Sequence, residues 1–271
     1  MDAARARSTD TRDEEPDMTT ASTNTSFTTT GVTRTPADGA ESLKKEAWDR
    51  SYGKGDNYLF YPHEEVIRFM SRHVRKRTGL RSFVDRHTLG RVPRVLDLGC
   101  GIGRHVRFAD DLGLEAHGID LSEVAIAEAK RICAAEDRAQ LAGRFHLGSI
   151  TAMPYEPGSI DFIVSHGVLD SLPFALAREA IAECRRVMNP KGAFYFDVIS
   201  GDDSAHHPEF AGEEIVTTAH EQDTVQSYFN FARLEELLAG HFALEECRLI
   251  RNESVISPGF HSRYHVVTKP L

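Results

Sequence analysis

Val95-Leu96-Asp97-Leu98-Gly99-Cys100-Gly101-Ile102-Gly103-Arg104 is the stretch on which the reading of this chain turns. Arg94 to Leu98 is a short apolar run with a β-branched residue and predicts a buried strand. Three glycines on alternate positions follow, then a helical pattern from Arg104 to about Leu112. A strand, a glycine turn and a helix in succession bring backbone N–H groups against a ligand. Asp97, at the strand's end, can accept hydrogen bonds within the turn or from a ligand ammonium. A dinucleotide fingerprint spaces its glycines G-x-G-x-x-G and sets a pyrophosphate on the helix N-terminus. The spacing here is Gly99-x-Gly101-x-Gly103. That tighter turn, with an acid on its leading edge, suits a ligand without phosphates and with a cationic amine.

Composition bounds the possibilities. The chain has 271 residues, a formal net charge of -9 and 41% hydrophobic residues. That is enough for one large α/β domain, or a domain with an appendage. The acidic balance speaks against a nucleic-acid partner, because phosphate binding is driven by Lys and Arg. No apolar run approaches the ~20 residues of a transmembrane helix, and no apolar signal-peptide region opens the chain. Neither a membrane nor a nucleic acid is therefore expected as a partner. Cys100, Cys133, Cys184 and Cys247 are scattered, without a C-x-x-C pair. They read as reduced thiols of a cytoplasmic protein, not as a zinc site; no metal is expected.

The first 40 or so residues are polar, without periodicity, and predict a disordered tail. Residues 41–90 read as a helical segment that acts as a lid. Leu43, Ala47 and Trp48 suit one helix face. Ser51 to Tyr58 reads as a loop with two glycines. A second helix opens at Tyr61-Pro62-His63-Glu64-Glu65, with acids in its first turn. Residues 78–91 read as an irregular link.

From residue 91 onward the chain alternates strand and helix. Strands are predicted at 94–98, 115–120, 144–147, 160–165 and 193–198, and helices at 104–112, 123–135 and 174–188. Asn189-Pro190-Lys191-Gly192 reads as a turn. This rhythm implies a doubly wound, mostly parallel sheet in a three-layer α/β sandwich. Residues 200–228 break it and look like an insertion. After a helix at 231–239, strands at 243–250 and 262–268 have no helix between them and predict an antiparallel hairpin.

The Asp97-Leu98-Gly99-Cys100-Gly101-x-Gly103 string, after its apolar strand, closely resembles the first motif of class I S-adenosylmethionine-dependent methyltransferases. The hairpin-terminated sheet is similar to that family's seven-stranded, Rossmann-like fold. The resemblance implies S-adenosylmethionine as cofactor, held at Asp97, Gly99, Cys100, Gly101 and Gly103. Asp120 ends the second strand, about twenty residues past the glycine turn, where an acid can take two ribose hydroxyls. Leu121 stands where relatives pack the adenine. Many relatives have an Asp where this chain has Ser149, and Ile150 can cover the other face of the ring. Ser165-His166-Gly167-Val168-Leu169-Asp170 resembles the family's fourth motif, which lines the methionine end and faces the substrate.

His166 reads either as a general base for an acceptor amine or hydroxyl, or as a packing residue. Asp170 either orients a substrate or caps the next helix. Tyr52, Tyr58 and Tyr61 read as lid residues over the cofactor, or as part of a segment packed on the sheet edge. His206, His207 and His220 lie in the insertion, which the resemblance makes the other wall of the substrate site. His220 is thereby a candidate substrate residue, although exposed loop histidines are the default. The implied activity is methyl transfer to an N or O atom of a small-molecule acceptor. The N-P-P-Y/F string of enzymes that methylate nucleic-acid amino groups is absent. A nicotinamide-dependent oxidoreductase on a Rossmann core and a non-catalytic cofactor-binding protein stay open as alternatives.

Overall fold

The protein is described from a computed structural model covering residues 36–55, 57–218 and 222–271. The tail expected over the first 40 residues falls almost wholly outside them, and so does His220. In chain order the elements begin with α1 (Pro36–Lys54), α2 (Glu64–Phe69), β1 (Arg75–Arg77) and β2 (Phe83–Asp85). The alternating part is β3 (Arg94–Leu98), α3 (Arg104–Asp111), β4 (Glu115–Asp120), α4 (Glu123–Ala135), β5 (Phe145–Leu147), β6 (Ile160–Ser165), α5 (Phe174–Val187) and β7 (Met188–Ile199). Then come β8 (Gly212–Ile215), β9 (Val225–Tyr228), α6 (Phe231–Leu238), β10 (Phe242–Glu253) and β11 (Phe260–Pro270).

The main sheet has seven strands in the order β10-β11-β7-β6-β3-β4-β5. β7, β6, β3, β4 and β5 run parallel, and β11 is antiparallel to both β7 and β10. The chain winds outward from β3 through β4 to β5, then returns across to β6 on the other side. The switch point lies between β3 and β6, so the crevice opens at their carboxyl ends.

Strand alternation divides the core in two. Leu96, Leu98, Ile163, Phe194 and Phe196 pack with Ala177, Ile181 and Cys184 of α5 and Leu234 and Leu237 of α6. Val95, Phe162, Val164 and Tyr195 point the other way, onto Val66, Phe69, Val106, Ala109 and Ala129 of α2, α3 and α4. The central strands β3, β6 and β7 are thus apolar on both faces, as a sheet covered on both sides requires. All four cysteines are free, and Cys100, Cys133 and Cys184 are buried.

Four expectations change. Ser51-Tyr52-Gly53-Lys54 is the last turn of α1, not a loop. Docking decides this: Asp49 of α1 accepts from Ser122 Oγ at 2.6 Å, at the start of α4, and holds the helix end in place. Residues 78–91 are not wholly irregular, because β2 pairs antiparallel with β1 and Arg75 Nε reaches Asp85 Oδ1 at 2.5 Å. The turn expected at Asn189–Gly192 lies within β7 as a bulge opposite Asp161, where Asn189 Nδ2 donates to Asp161 Oδ1 at 2.9 Å. The insertion is not all loop: β8 and β9 pair within it.

Candidate active site

The glycine turn follows β3. Gly99, Gly101 and Gly103 all have positive φ, at 70°, 51° and 78°. At Gly101 the requirement is double: besides the backbone angle, a Cβ would collide with the Tyr52 hydroxyl, which α1 carries over the turn. At Gly99 a Cβ would run into Val168. The turn therefore leaves its backbone bare toward the crevice.

Asp120 ends β4 beside the turn. Its Oδ2 accepts from Gly101 N–H and its Oδ1 from Ser122 N–H, each at 2.8 Å. It is 9% exposed, and burial pushes its pKa up to about 6. Each oxygen keeps a second lone pair, available to a ligand hydroxyl. Asp97 is 2% exposed. Its Oδ1 stands 3.2 Å from His105 Nδ1, and its Oδ2 is buried without a partner among the described residues. His105 Nε2 accepts from the His63 backbone N–H at 3.2 Å, so the ring proton is on Nδ1 and points at Asp97.

The crevice has two lobes. The first, of about 690 Å³, is lined by Lys44, Trp48 and Tyr52 of α1, by Asp120, Leu121, Ser149 and Ile150, and by His166, Gly167, Val168, Ser171 and Leu172. The second, of about 640 Å³, lies over the turn itself and adds Asn57, Leu59, Cys100, Ile102, Arg104 and His105. Trp48, Tyr52, Gly99, His166 and Gly167 line both lobes and mark their junction.

His166 sits at that junction. Its ring stacks on His63, centroids 3.9 Å apart. Its Nδ1 is 2.8 Å from Asp197 Oδ2, an ion-pair contact bent away from hydrogen-bond geometry. Asp197 is fully buried and accepts from Gly167 N–H at 2.8 Å and from Arg263 Nε at 2.9 Å. Burial would raise its pKa, but Arg263 and His166 hold it well below the usual carboxylate range. Burial pulls His63 down to about 4, helped by its neighbour His166. His63 Nδ1 accepts from Glu65 N–H at 3.3 Å, so this ring is a neutral platform.

The structure brings together Asp97, Gly99, Cys100, Gly101, Gly103, Asp120, Leu121, Ser149, Ile150, His166 and Tyr52 around or beneath one crevice. It does not bring the rest. Ser165 is buried and donates to the Leu98 carbonyl at 3.4 Å. Tyr58 faces a shallow groove with Asp49, Glu123 and Arg131, outside the crevice. Tyr61 is 85% exposed, because Arg107 and Arg104 hold the Phe60 and Tyr61 carbonyls and turn the chain outward. Asp170 neither caps α5 nor reaches the crevice: its Oδ2 is taken by Arg263 Nη2 at 2.8 Å and by Ile199 N–H at 2.9 Å. His206 is clamped between Asp203 and Glu214, at 2.9 and 3.1 Å. Sequence reading missed Lys44, Asn57, Leu59, His63, Arg104 and His105. Lys44, Asn57, Leu59 and His63 come to the turn only by the packing of α1 and the 57–63 segment over it, whereas Arg104 and His105 follow the turn directly but carry no spacing that marks them.

Comparison with known proteins bears on this site. A family model described as a methyltransferase domain matches residues 95–192, from β3 into β7. Residues 95–192 are thus similar to a methyltransferase domain, in keeping with the resemblance carried by the glycine turn. Curated relatives of the chain include a malonyl-[acyl-carrier protein] O-methyltransferase of Enterobacter lignolyticus, 29% identical over 59% of this chain and 56% of that protein. A ubiquinone biosynthesis O-methyltransferase of Methylococcus capsulatus is 26% identical over 57% of this chain and 63% of that protein. The chain thus spans less than two thirds of the length of either. Among solved structures, the 1,6-didemethyltoxoflavin-N1-methyltransferase of Burkholderia thailandensis shares the fold with a TM-score of 0.63 and 18% identity, over 89% of this chain and 92% of that one. The likeness is one of fold, which in this chain is the seven-stranded sheet with its closing hairpin. Among the described residues no helix is long and apolar enough to cross a membrane.

Proposed function

We propose that this protein transfers the methyl group of S-adenosylmethionine to an O or N atom of a small-molecule acceptor bound at the junction of the two lobes. The observation that carries the reading is the pair of acids flanking the bare glycine turn. Asp120 offers lone pairs on both oxygens to a ribose diol, and Asp97 Oδ2 is a buried acceptor with no partner among the described residues, suited to an ammonium. A pyrophosphate would meet these two carboxylates, which disfavours a dinucleotide. The residues therefore fit the cofactor. Leu121, Ser149 and Ile150 would hold its adenine, Asp120 its ribose, and Gly99, Gly101 and Asp97 its amino-acid portion.

The bound cofactor supplies an activated sulfonium methyl, so the protein's task is alignment and exclusion of water. Trp48 and Tyr52 close the crevice over the turn. His166 holds its Nδ1 toward the ionised Asp197, which leaves Nε2 to take a proton from an acceptor hydroxyl or ammonium. The neutral His63 ring beneath it adds no competing charge. Names of the relatives favour oxygen acceptors and the solved neighbour a nitrogen one, in keeping with either atom at His166.

Thermal shift with S-adenosylmethionine, S-adenosylhomocysteine and NAD(H) tests the cofactor. A ligand at a hundred times its Kd adds about 2.7 kcal/mol. The sulfonium pair is expected to stabilise the wild type, and Asp120→Ala to abolish the effect. A shift with NAD(H) alone would overturn the reading. Once an acceptor is found by screening, His166→Ala should lower kcat about 100-fold or more and leave S-adenosylhomocysteine binding intact.

A further inference from the structure

The second lobe differs in chemistry from the first. Its lining contains no carboxylate side chain, and among the described residues lining it the one guanidinium is that of Arg104, the first residue of α3. Arg104 is half-buried, and its one hydrogen bond among the described residues is a long one, Nη1 to the Tyr61 carbonyl at 3.4 Å. A guanidinium has five N–H donors in a planar fork that matches a carboxylate. Neighbouring arginines use theirs: Arg94 reaches Glu115, Arg107 reaches Glu136, Arg138 reaches Asp111 and Arg263 reaches Asp170. Among the described residues Arg104 has no such partner, yet its charge feels Asp97. One end of the crevice thus holds a fixed cation, while the nearest acid, Asp97, lines neither lobe and lies buried beneath the turn. An unpaired guanidinium on the lining of a lobe without acids matches the carboxylate of an amino acid.

We propose that Arg104 is the anchor for the α-carboxylate of the cofactor's amino-acid portion, and so sets the direction in which the cofactor lies. The inference rests on the cofactor reading above. Asp120, Leu121 and Ile150 line only the first lobe and Arg104 only the second. A ligand held at both ends spans the junction. His166 lines that junction, so the anchoring brings the centre of the ligand to the base.

The test is calorimetric binding of S-adenosylhomocysteine and of 5′-methylthioadenosine, which keeps the nucleoside but lacks the amino-acid end. The wild type should bind both. Arg104→Met should weaken S-adenosylhomocysteine by about tenfold to a hundredfold, as for a lost charge-assisted pair. It should leave 5′-methylthioadenosine within about twofold, which also reports an intact fold. Loss of both ligands equally, or of neither, overturns the anchor. In the wild type, rising ionic strength should weaken S-adenosylhomocysteine more than 5′-methylthioadenosine; equal sensitivity overturns it independently of any variant. Failure of the wild type to bind either ligand removes the cofactor reading itself, a result separable from failure of Arg104 alone.

Discussion

Asp120 is bound by two backbone N–H groups, which favour its charge, and yet burial wins and raises its pKa to about 6. The folded apo protein therefore holds this proton more tightly than the unfolded chain. Its contribution to apo stability is present below about pH 4 and is lost as pH rises through about 6, by ~3 kcal/mol for a shift of about two units. Cofactor affinity should run the other way, because an ionised carboxylate is the better acceptor for two ribose hydroxyls. Titrations of S-adenosylhomocysteine from about pH 5 to about pH 7.5 should show affinity rising, with a flat profile in Asp120→Asn. A flat wild-type profile would mean that Asp120 does not touch the ligand. Asp97, Gly99, Gly101, Gly103 and Asp120 were legible because strand, turn and acid lie close in sequence. His63 and Arg104 were not, because a histidine or arginine beside a helix start has many ordinary uses.

Helix α1 shows how an element can contradict its own residues. Gly53 is a poor helix former, and a loop at Ser51–Lys54 is the local expectation. The helix persists because Asp49 Oδ1 accepts from Ser122 Oγ at 2.6 Å and from Val124 N–H at 3.4 Å. These are groups at the N-terminus of α4, where an anion is favoured. Asp49→Ala should cost about 1 kcal/mol. Hydrogen exchange should then quicken in α1 more than in the sheet, and the crevice wall built by Trp48 and Tyr52 should loosen with it. Unchanged exchange in α1 would show that its apolar contacts suffice. In β7 the same lesson recurs: Asn189-Pro190-Lys191-Gly192 has turn residues, but it bulges opposite Asp161 between the pairs Met188–Ile160 and Ala193–Phe162, within one strand.

At the scale of the molecule, the hairpin β10–β11 completes the site as well as the sheet. β11 pairs with β7 and delivers Arg263 to two buried carboxylates, Asp197 behind His166 and Asp170 in the loop after β6. Removing one member of such a group leaves an uncompensated buried charge, which costs ~3–5 kcal/mol. Arg263→Met should therefore lower the denaturation midpoint by that order. Mutating Asp170 as well should recover part of it, because Asp170 loses its ion-pair partner Arg263, whereas Asp197 keeps His166. A loss below ~1 kcal/mol in chemical denaturation would show that the cluster is well solvated.

What the sequence by itself determined is local and periodic. The alternation of apolar strands with amphipathic helices, the closing pair of strands, the glycine turn and the two acids beside it follow from residues within about twenty positions of each other. Three-dimensional packing alone decided the rest. It laid α1 over the turn, stacked His63 on His166, gave Asp170 to Arg263 instead of to the crevice, and turned Tyr58 and Tyr61 outward. Such contacts join residues far apart in the chain. Their geometry depends on how helices settle on the sheet, and that is set by burial of whole faces, which no short stretch of sequence encodes.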